Sequence, residues 1–440
     1  MSYVTRNEKN LKFSQALSTV MGIVIGSGIF FKIASITQLT QSTSMTIFVW
    51  LFAGVLSIAS GLTVAELATA LPVTGGPIKY IEYTYGKPLS FLYGWAQILI
   101  YFPASIASLM LVFSQQLTAL LGINHQWIIP LAVLCLLSVA LINFIGNKAS
   151  GILQVVSLVI KLIPVALIVI VGLIHDPKVP VDLFPITAGE NVPFFVALSG
   201  GLLSAMYAYE GWINVGNIAG ELKRPSKDLP KAIILGLSLV TVIYVLINFA
   251  FLSSLPIEQL AGNPNAAFDS SRVLFGNLGG RLVTIGILVS VYGTINGFVM
   301  TGMRLPYTLA QSNQLPFSQH LKKLNRFGVP MISGLLICGI SILLLFLGNF
   351  DNLTNMLVFV MWTFTTLISI AVLILRKREP ELERPYKVLF YPIIPIISIL
   401  GGGFIVIATF ITQFQLSIIG VLVTLTGLPV YYYYHHKNKA

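Results

Sequence analysis

The stretch Thr19-Val20-Met21-Gly22-Ile23-Val24-Ile25-Gly26-Ser27-Gly28-Ile29-Phe30 decides the reading of this chain. Its apolar side chains are those of a membrane-spanning helix, yet three glycines and a serine stand in the middle, and each glycine weakens a helix by about 1 kcal/mol relative to alanine. Backbone that leaves a helix at membrane depth persists only where it lines a cavity or a ligand. A span broken at this point is therefore where function is expected.

The rest of the chain agrees with a membrane setting. Of 440 residues, 9% are charged and 56% hydrophobic, against roughly a quarter charged in soluble domains, and the mean hydropathy is +0.87. Twelve candidate spans lie between Phe13 and Tyr434. The net charge of +11 is sorted by position: twenty of the 26 basic residues fall in alternate loops and the two tails, three (Lys178, Arg272 and Arg281) on the other side, and three inside spans. That asymmetry predicts cytoplasmic N- and C-termini in the cell membrane. It also accounts for the basic surplus as topology and attraction to lipid headgroups, with no nucleic-acid partner. The two cysteines, Cys135 and Cys338, stand in apolar runs and read as core packing. The run Tyr431–Tyr434 with His435 and His436 reads as an aromatic belt, and no metal or cofactor is expected. Asp269, Asp351 and the cluster Glu379, Glu381, Glu383 read as solvated loop residues.

A second break stands in the sixth span, where Ser199-Gly200-Gly201 is followed by Met206-Tyr207-Ala208-Tyr209-Glu210-Gly211-Trp212. Spans one and six correspond if the chain holds two repeats of five spans, 13–174 and 192–376, followed by spans eleven and twelve at 389–434, with tails at 1–12 and 435–440. An odd number of spans per repeat makes the second inverted relative to the first. Broken helices in corresponding places of inverted repeats are the pattern of secondary transporters that bind substrate at the midplane. The half-helix after Gly26-Ser27-Gly28 offers free N–H groups and a positive dipole end to a carboxylate. Unwound carbonyls, such as those of Val24, Tyr207 and Glu210, suit an ammonium group, so the pair of breaks fits a zwitterionic amino acid. The competing account of either break alone is close helix packing by small residues.

At these residues the chain resembles the amino acid–polyamine–organocation superfamily and, within it, the L-type amino-acid transporters. The matching stretches are Gly26-Ser27-Gly28-Ile29-Phe30, Ala65-Glu66-Leu67 through Pro72-Val73-Thr74-Gly75-Gly76-Pro77 and Tyr80, Ala208-Tyr209-Glu210-Gly211-Trp212, and Gly220-Glu221-Leu222-Lys223-Arg224-Pro225-Ser226-Lys227-Asp228-Leu229-Pro230. The resemblance implies an all-α integral membrane protein of twelve transmembrane helices, with a leucine-transporter-like 5+5 inverted repeat and broken helices 1 and 6. It implies exchange of L-amino acids, with the carboxylate at the amides of Ser27, Gly28 and Ile29, and the amine at Val24 and at Tyr207 or Glu210 beside Ala208. Tyr207 takes the place of the aromatic that covers the substrate, and a sheltered loop is implied around Gly75–Tyr85. Animal members carry a cysteine outside span four that bonds to a glycoprotein partner. Here that loop is Gly122-Ile123-Asn124-His125-Gln126-Trp127, so no disulfide-linked heavy subunit is expected.

Lys161, within Val156-Ser157-Leu158-Val159-Ile160-Lys161-Leu162-Ile163-Pro164, is the sharpest signal outside the breaks. A lysine at a span centre costs about 3 kcal/mol on insertion scales and is read as functional by default. Its ammonium can stand in for a sodium ion by donating to carbonyls of the broken first span, as in the L-type relatives, which predicts sodium-independent transport; a purely structural tie is the alternative. Glu210 is expected as a gate or hydrogen-bond partner, Glu66 and Arg304 as an inside ion-pair gate with Tyr207 as the gate over the substrate, Lys32 as a snorkelling side chain, and Tyr292 as part of the side-chain pocket or an ordinary packed tyrosine. Together these predict a sodium-independent exchanger for small neutral amino acids such as serine, threonine or alanine. Proton-coupled uptake of cationic amino acids or polyamines, with Glu210 as recognition group, is the alternative. An enzyme would need a convergent His, Asp or Glu set, and the five histidines are scattered.

Overall fold

The computed structural model describes residues 12–26, 28–71, 75–213 and 222–437. Among these residues every regular element is a helix, the arrangement that satisfies backbone polar groups where the bilayer supplies no water. The first half of the chain forms α1 (Phe13–Val24), α2 (Gly28–Thr40), α3 (Thr43–Ala70), α4 (Gly76–Tyr85) and α5 (Lys87–Ala96). The chain then passes through a π-helical turn at Gln97–Tyr101 into α6 (Phe102–Leu121), followed by α7 (Ile128–Ile145) and α8 (Asn147–Ile174). The second half holds α9 (Phe194–Ala208), α10 (Pro225–Ser254), the short α11 (Ile257–Leu260), α12 (Ala266–Gly302), α13 (Arg304–Gln311), α14 (Ser318–Leu321) and α15 (Met331–Leu347). It ends with α16 (Phe350–Arg378), α17 (Ile393–Thr412), α18 (Phe414–Leu425) and α19 (Gly427–Lys437).

Nine helices or continuous helix runs among the described residues are long and apolar enough to cross a membrane, and α9 and α15 are shorter apolar helices. The first span is divided: α1 and α2 have 12 and 13 residues, and at 1.5 Å per residue neither reaches across a bilayer alone. The sheltered loop expected near Gly75–Tyr85 is the ten-residue helix α4, entered through Gly75 at φ +110.

The broken helices are held by two closely packed pairs. α10 lies against α3 and α1, and α12 against α8 and α6, while α2 packs on α9. Small residues set the separations: a Cβ on Gly54 of α3 would lie 2.1 Å from Thr241 Oγ1 of α10, and one on Gly293 of α12 would lie 2.1 Å from Ser157 Cβ of α8. Backbones this close gain dispersion contacts in a setting where lipid supplies no hydrophobic drive between helices. The result is a rigid frame around α1, α2 and α9.

Candidate functional site

The first span breaks between α1 and α2, and α9 ends at Ala208, where the second break is expected, with 214–221 outside the described residues; the carbonyls at these two helix ends can be followed in turn. The last four C=O groups of a helix have no partner within it, and a buried carbonyl left unpaired costs about 1–3 kcal/mol. At the end of α1, the Met21 carbonyl accepts from the Ile25 N–H at 2.8 Å, the Gly22 carbonyl accepts from Lys161 Nζ at 2.7 Å, and the Val24 carbonyl accepts from the Tyr244 hydroxyl at 2.8 Å. At the end of α9, the Glu210 N–H donates to the Tyr207 carbonyl at 3.2 Å, and the Tyr244 hydroxyl reaches the Ala208 carbonyl at 2.9 Å. One O–H of α10 is thus shared between the two breaks. α9 stops here because the chain turns through Gly211 at φ +103, a conformation that side-chain-bearing residues rarely adopt.

The breaks also touch directly. A Cβ on Gly28, the first residue of α2, would fall 2.8 Å from Ala208 Cα and 3.3 Å from Tyr207 Cδ1. Only glycine lets the opening turn of α2 sit against the end of α9. Trp50, Tyr209 and Tyr244 form a buried aromatic cluster behind this contact, with ring centroids 5.0–6.2 Å apart, and the Tyr209 hydroxyl donates to the Trp50 carbonyl at 3.0 Å.

A cavity of ≈ 490 Å³ lies beside the breaks, lined by Gly22, Ile25, Gly26, Lys161, Glu210 and Gly211 together with Ser18 and Thr19 of α1, Gln154 of α8 and Thr294, Gly297 and Thr301 of α12. Ser18 and Thr301 are solvent-exposed, so the cavity reaches the surface on the side where α1 and α8 begin and α12 ends. The opposite side is sealed. There Lys32 Nζ bonds Asp351 at 2.8 Å and Thr354 Oγ1 at 2.7 Å, Ser35 donates to the same carboxylate, and the ammonium lies 4.7 Å from the Phe350 ring centroid and 5.5 Å from that of Tyr207. The Tyr207 ring meets Phe350 edge-on at 5.8 Å, and its hydroxyl lies 3.3 Å from Ser108 Oγ.

A broken span meeting the end of a second apolar helix beside a cavity open on one side has the form of a carrier. The profile of the amino acid permease family matches residues 11–432. The chain belongs to the amino acid permease family. It is 36% identical to the serine/threonine exchanger SteT of Bacillus subtilis over 97% of this chain and 96% of that one. It is 26% identical to the Asc-type amino acid transporter 1 of Mus musculus over 97% and 81% of the two chains. It is 28% identical to the large neutral amino acids transporter small subunit 2 of Homo sapiens over 98% and 82%. It is therefore similar to amino acid transporters and exchangers, and is a multi-pass membrane transport protein, not an enzyme.

In this permease the residues singled out from sequence divide into groups. Lys161 and Glu210 meet at the cavity. Val24, Gly28, Ile29, Tyr207 and Ala208 are buried at the contact of the two breaks, and the carbonyls of Val24 and Ala208 are already held by Tyr244. Ser27 lies outside the described residues.

Three expectations are corrected. Glu66 does not pair with Arg304: it is buried and takes a two-point contact from Arg376, Nε at 2.8 Å and Nη2 at 2.6 Å, with Arg384 at 3.4 Å and the Val388 N–H at 2.7 Å, while Arg304 is exposed at the start of α13. A guanidinium fork on a dry carboxylate is the stronger arrangement, and it ties α3 to the end of α16. Lys32 does not snorkel; it is fully buried. Asp351 is not a solvated loop residue but the half-buried partner of Lys32 in the first turn of α16. Tyr292, read as either a pocket residue or an ordinary packed tyrosine, is packed: it is not on the cavity wall but turns to α7, 2.8 Å from Ser138 Oγ. Glu379, read as solvated, is partly exposed just past the end of α16, and there it pairs with Arg378 at 3.1 Å and accepts from the Tyr83 hydroxyl.

Tyr244 is the main residue missed. Its signal was a tyrosine near the middle of an apolar run, Val240-Thr241-Val242-Ile243-Tyr244-Val245, where a buried hydroxyl needs a partner.

Proposed function

We propose that this permease is a sodium-independent exchanger of small neutral L-amino acids such as serine, threonine or alanine, working by alternating access through twelve spans arranged as two inverted repeats of five. The observation that carries this reading is the Lys161 ammonium, 2.7 Å from the Gly22 carbonyl of the broken span and on the wall of the cavity. A fixed cation already occupies the broken span's carbonyl end, so no sodium ion is needed to balance it. The relatives' names specify serine/threonine exchange in one case and large neutral amino acids in another; both support a neutral amino acid, and the first, at the higher identity, supports a small one.

The substrate carboxylate binds amides at the start of α2, at Gly28 and Ile29, where the helix dipole adds about 0.3–1 kcal/mol; Ser27, outside the described residues, is the third donor expected from the sequence. The ammonium takes carbonyls at the ends of α1 and α9, displacing or joining the Tyr244 hydroxyl, and Tyr207 covers it. Glu210 is a hydrogen-bond partner on the cavity wall. Both termini are cytoplasmic, so the open cavity faces inward and the Lys32–Asp351 side is the closed outer gate, while the Glu66 network anchors the inner end. Exchange follows because a bound zwitterion gives the amides at the start of α2 a partner during closure, whereas closing on an empty site would bury them without one. The chain's two cysteines are both buried, and it works without a disulfide-linked partner.

Glu210 on the cavity wall favours one second reading, proton-coupled uptake of cationic amino acids. Counterflow in proteoliposomes with choline in place of sodium separates the two. The exchanger requires internal amino acid and ignores both sodium and a pH gradient; uptake into empty vesicles driven by a pH gradient overturns it.

A further inference from the structure

Of the three basic residues on the basic-poor side of the permease, two end in one recess. Arg272 and Arg281 line a cavity of ≈ 520 Å³ with Asn277, Leu278, Phe268 and the last turn of α6 from Ala119 to Gly122. The fold brings them together deliberately in the geometric sense. α12 bends at Gly276, at φ 69 and ψ 179, and Gly280 lets the turn fold back: a Cβ there would lie 2.9 Å from both Arg272 Cα and N. Residue 281 is thereby set next to the strand of backbone that carries Arg272. The Arg272 Nε–H donates to Asn277 Oδ1 at 3.2 Å, which orients the guanidinium plane, and its carbon lies 5.8 Å from the Phe268 ring centroid. Neither arginine forms an ion pair within 4.0 Å among the described residues.

The surroundings say what fills the recess. Leu121, Leu278 and Leu282 are 59%, 75% and 61% exposed, so the arginines stand at the edge of the apolar belt, where a span meets the headgroup layer. Two guanidiniums with donors in a planar fork match phosphate oxygens, and the exposed leucines match acyl chains. We propose that Arg272, Arg281 and Asn277 form a binding site for the phosphate of an anionic phospholipid on the face of the bilayer opposite the basic loops, seated against the Gly276 bend of α12.

Native mass spectrometry of the full-length protein in detergent with phosphatidylglycerol and phosphatidylcholine tests it. The wild type is expected to retain one phosphatidylglycerol in preference to phosphatidylcholine, and Arg272→Gln with Arg281→Gln to lower that retention by roughly twenty-five-fold, about fivefold for each cation near an anionic headgroup. Should the double variant fail to fold, thermal unfolding of the wild type decides. A shift with phosphatidylglycerol that glycerol phosphate and inorganic phosphate at equal concentration do not reproduce supports the lipid site. Equal retention of both lipids, unchanged retention in the double variant, or an equal shift with inorganic phosphate overturns it.

Discussion

Lys161 and Lys32 are both buried lysines, one meeting the broken first span from α8 and the other part of its second half, and their surroundings differ in kind. Lys161 of α8 faces the cavity and donates to a backbone carbonyl at the end of α1. Lys32 of α2 is shut away with a carboxylate, a hydroxyl and two aromatic rings. A charge held by a carbonyl next to water-accessible space keeps its neighbours exchangeable, because the carbonyl asks for no countercharge. A fully buried ammonium paired with a carboxylate forms a lock, since separating the two leaves a buried charge uncompensated. The contrast assigns motion to one side and closure to the other.

The largest effect expected from breaking this contrast is on the closed side. Lys32→Met leaves Asp351 facing Phe350 and Tyr207 without its cation, which should cost about 3 kcal/mol, the low end for a broken buried pair because Asp351 is half-exposed. A fall in the unfolding midpoint together with greater access to Ser108 is the expected result, and an unchanged midpoint would show that the pair closes nothing. Next comes the open side. Lys161→Ala removes a charge-assisted bond worth about 2 kcal/mol, so exchange in proteoliposomes should fall roughly thirtyfold with the midpoint little changed; unaltered exchange removes Lys161 from the cycle.

Tyr244→Phe sharpens the comparison, since it takes one shared hydroxyl from both breaks while leaving both lysines in place. Exchange should fall about fivefold, corresponding to about 1 kcal/mol for a neutral hydrogen bond, and Tyr244→Phe with Lys161→Ala should be non-additive because their carbonyl acceptors lie on one helix end. The smallest effect lies outside the spans. The Tyr83 hydroxyl beside Glu379 holds its carboxyl below the usual carboxylate range. Its folded-state pKa is depressed, so its contribution is present above the ordinary carboxylate range and is lost as pH falls through the folded value. Thermal midpoints of the wild type and Glu379→Gln should differ slightly at pH 7 and converge on acidification.

Much of the site was legible because it violates a rule locally. Glycines inside an apolar span, a carboxylate in the corresponding later span, and a lysine in the middle of Val156–Pro164 each stand out against their neighbours. What was not legible depends on partners far along the chain. Asp351 sits at a span end, where a carboxylate is ordinarily solvated, and its partner is 319 positions away. Glu66 offered no way to tell Arg376 from Arg304, since both are basic residues near span ends. Tyr244 looked like any tyrosine in a span until its hydroxyl was found between two broken helices. The inverted repeat was read from two breaks in corresponding spans and an odd span number; the Gly28–Ala208 contact speaks to packing alone, since glycine at the start of α2 is required by the end of α9.

That contact also changes what a Gly28 substitution means, because a bulky residue there pushes the breaks apart before it meets any substrate.

The most direct test of one-sided access uses the chain's own chemistry. Its two cysteines are buried, so single cysteines at Ser18, on the open cavity, and at Ser108, against Tyr207 on the closed side, report each face by maleimide labelling. In the absence of substrate, Ser18→Cys should label quickly and Ser108→Cys slowly, and adding serine should slow the first while speeding the second. Fast labelling of both at once, or rates that serine leaves unchanged at both, would contradict alternating access at this site.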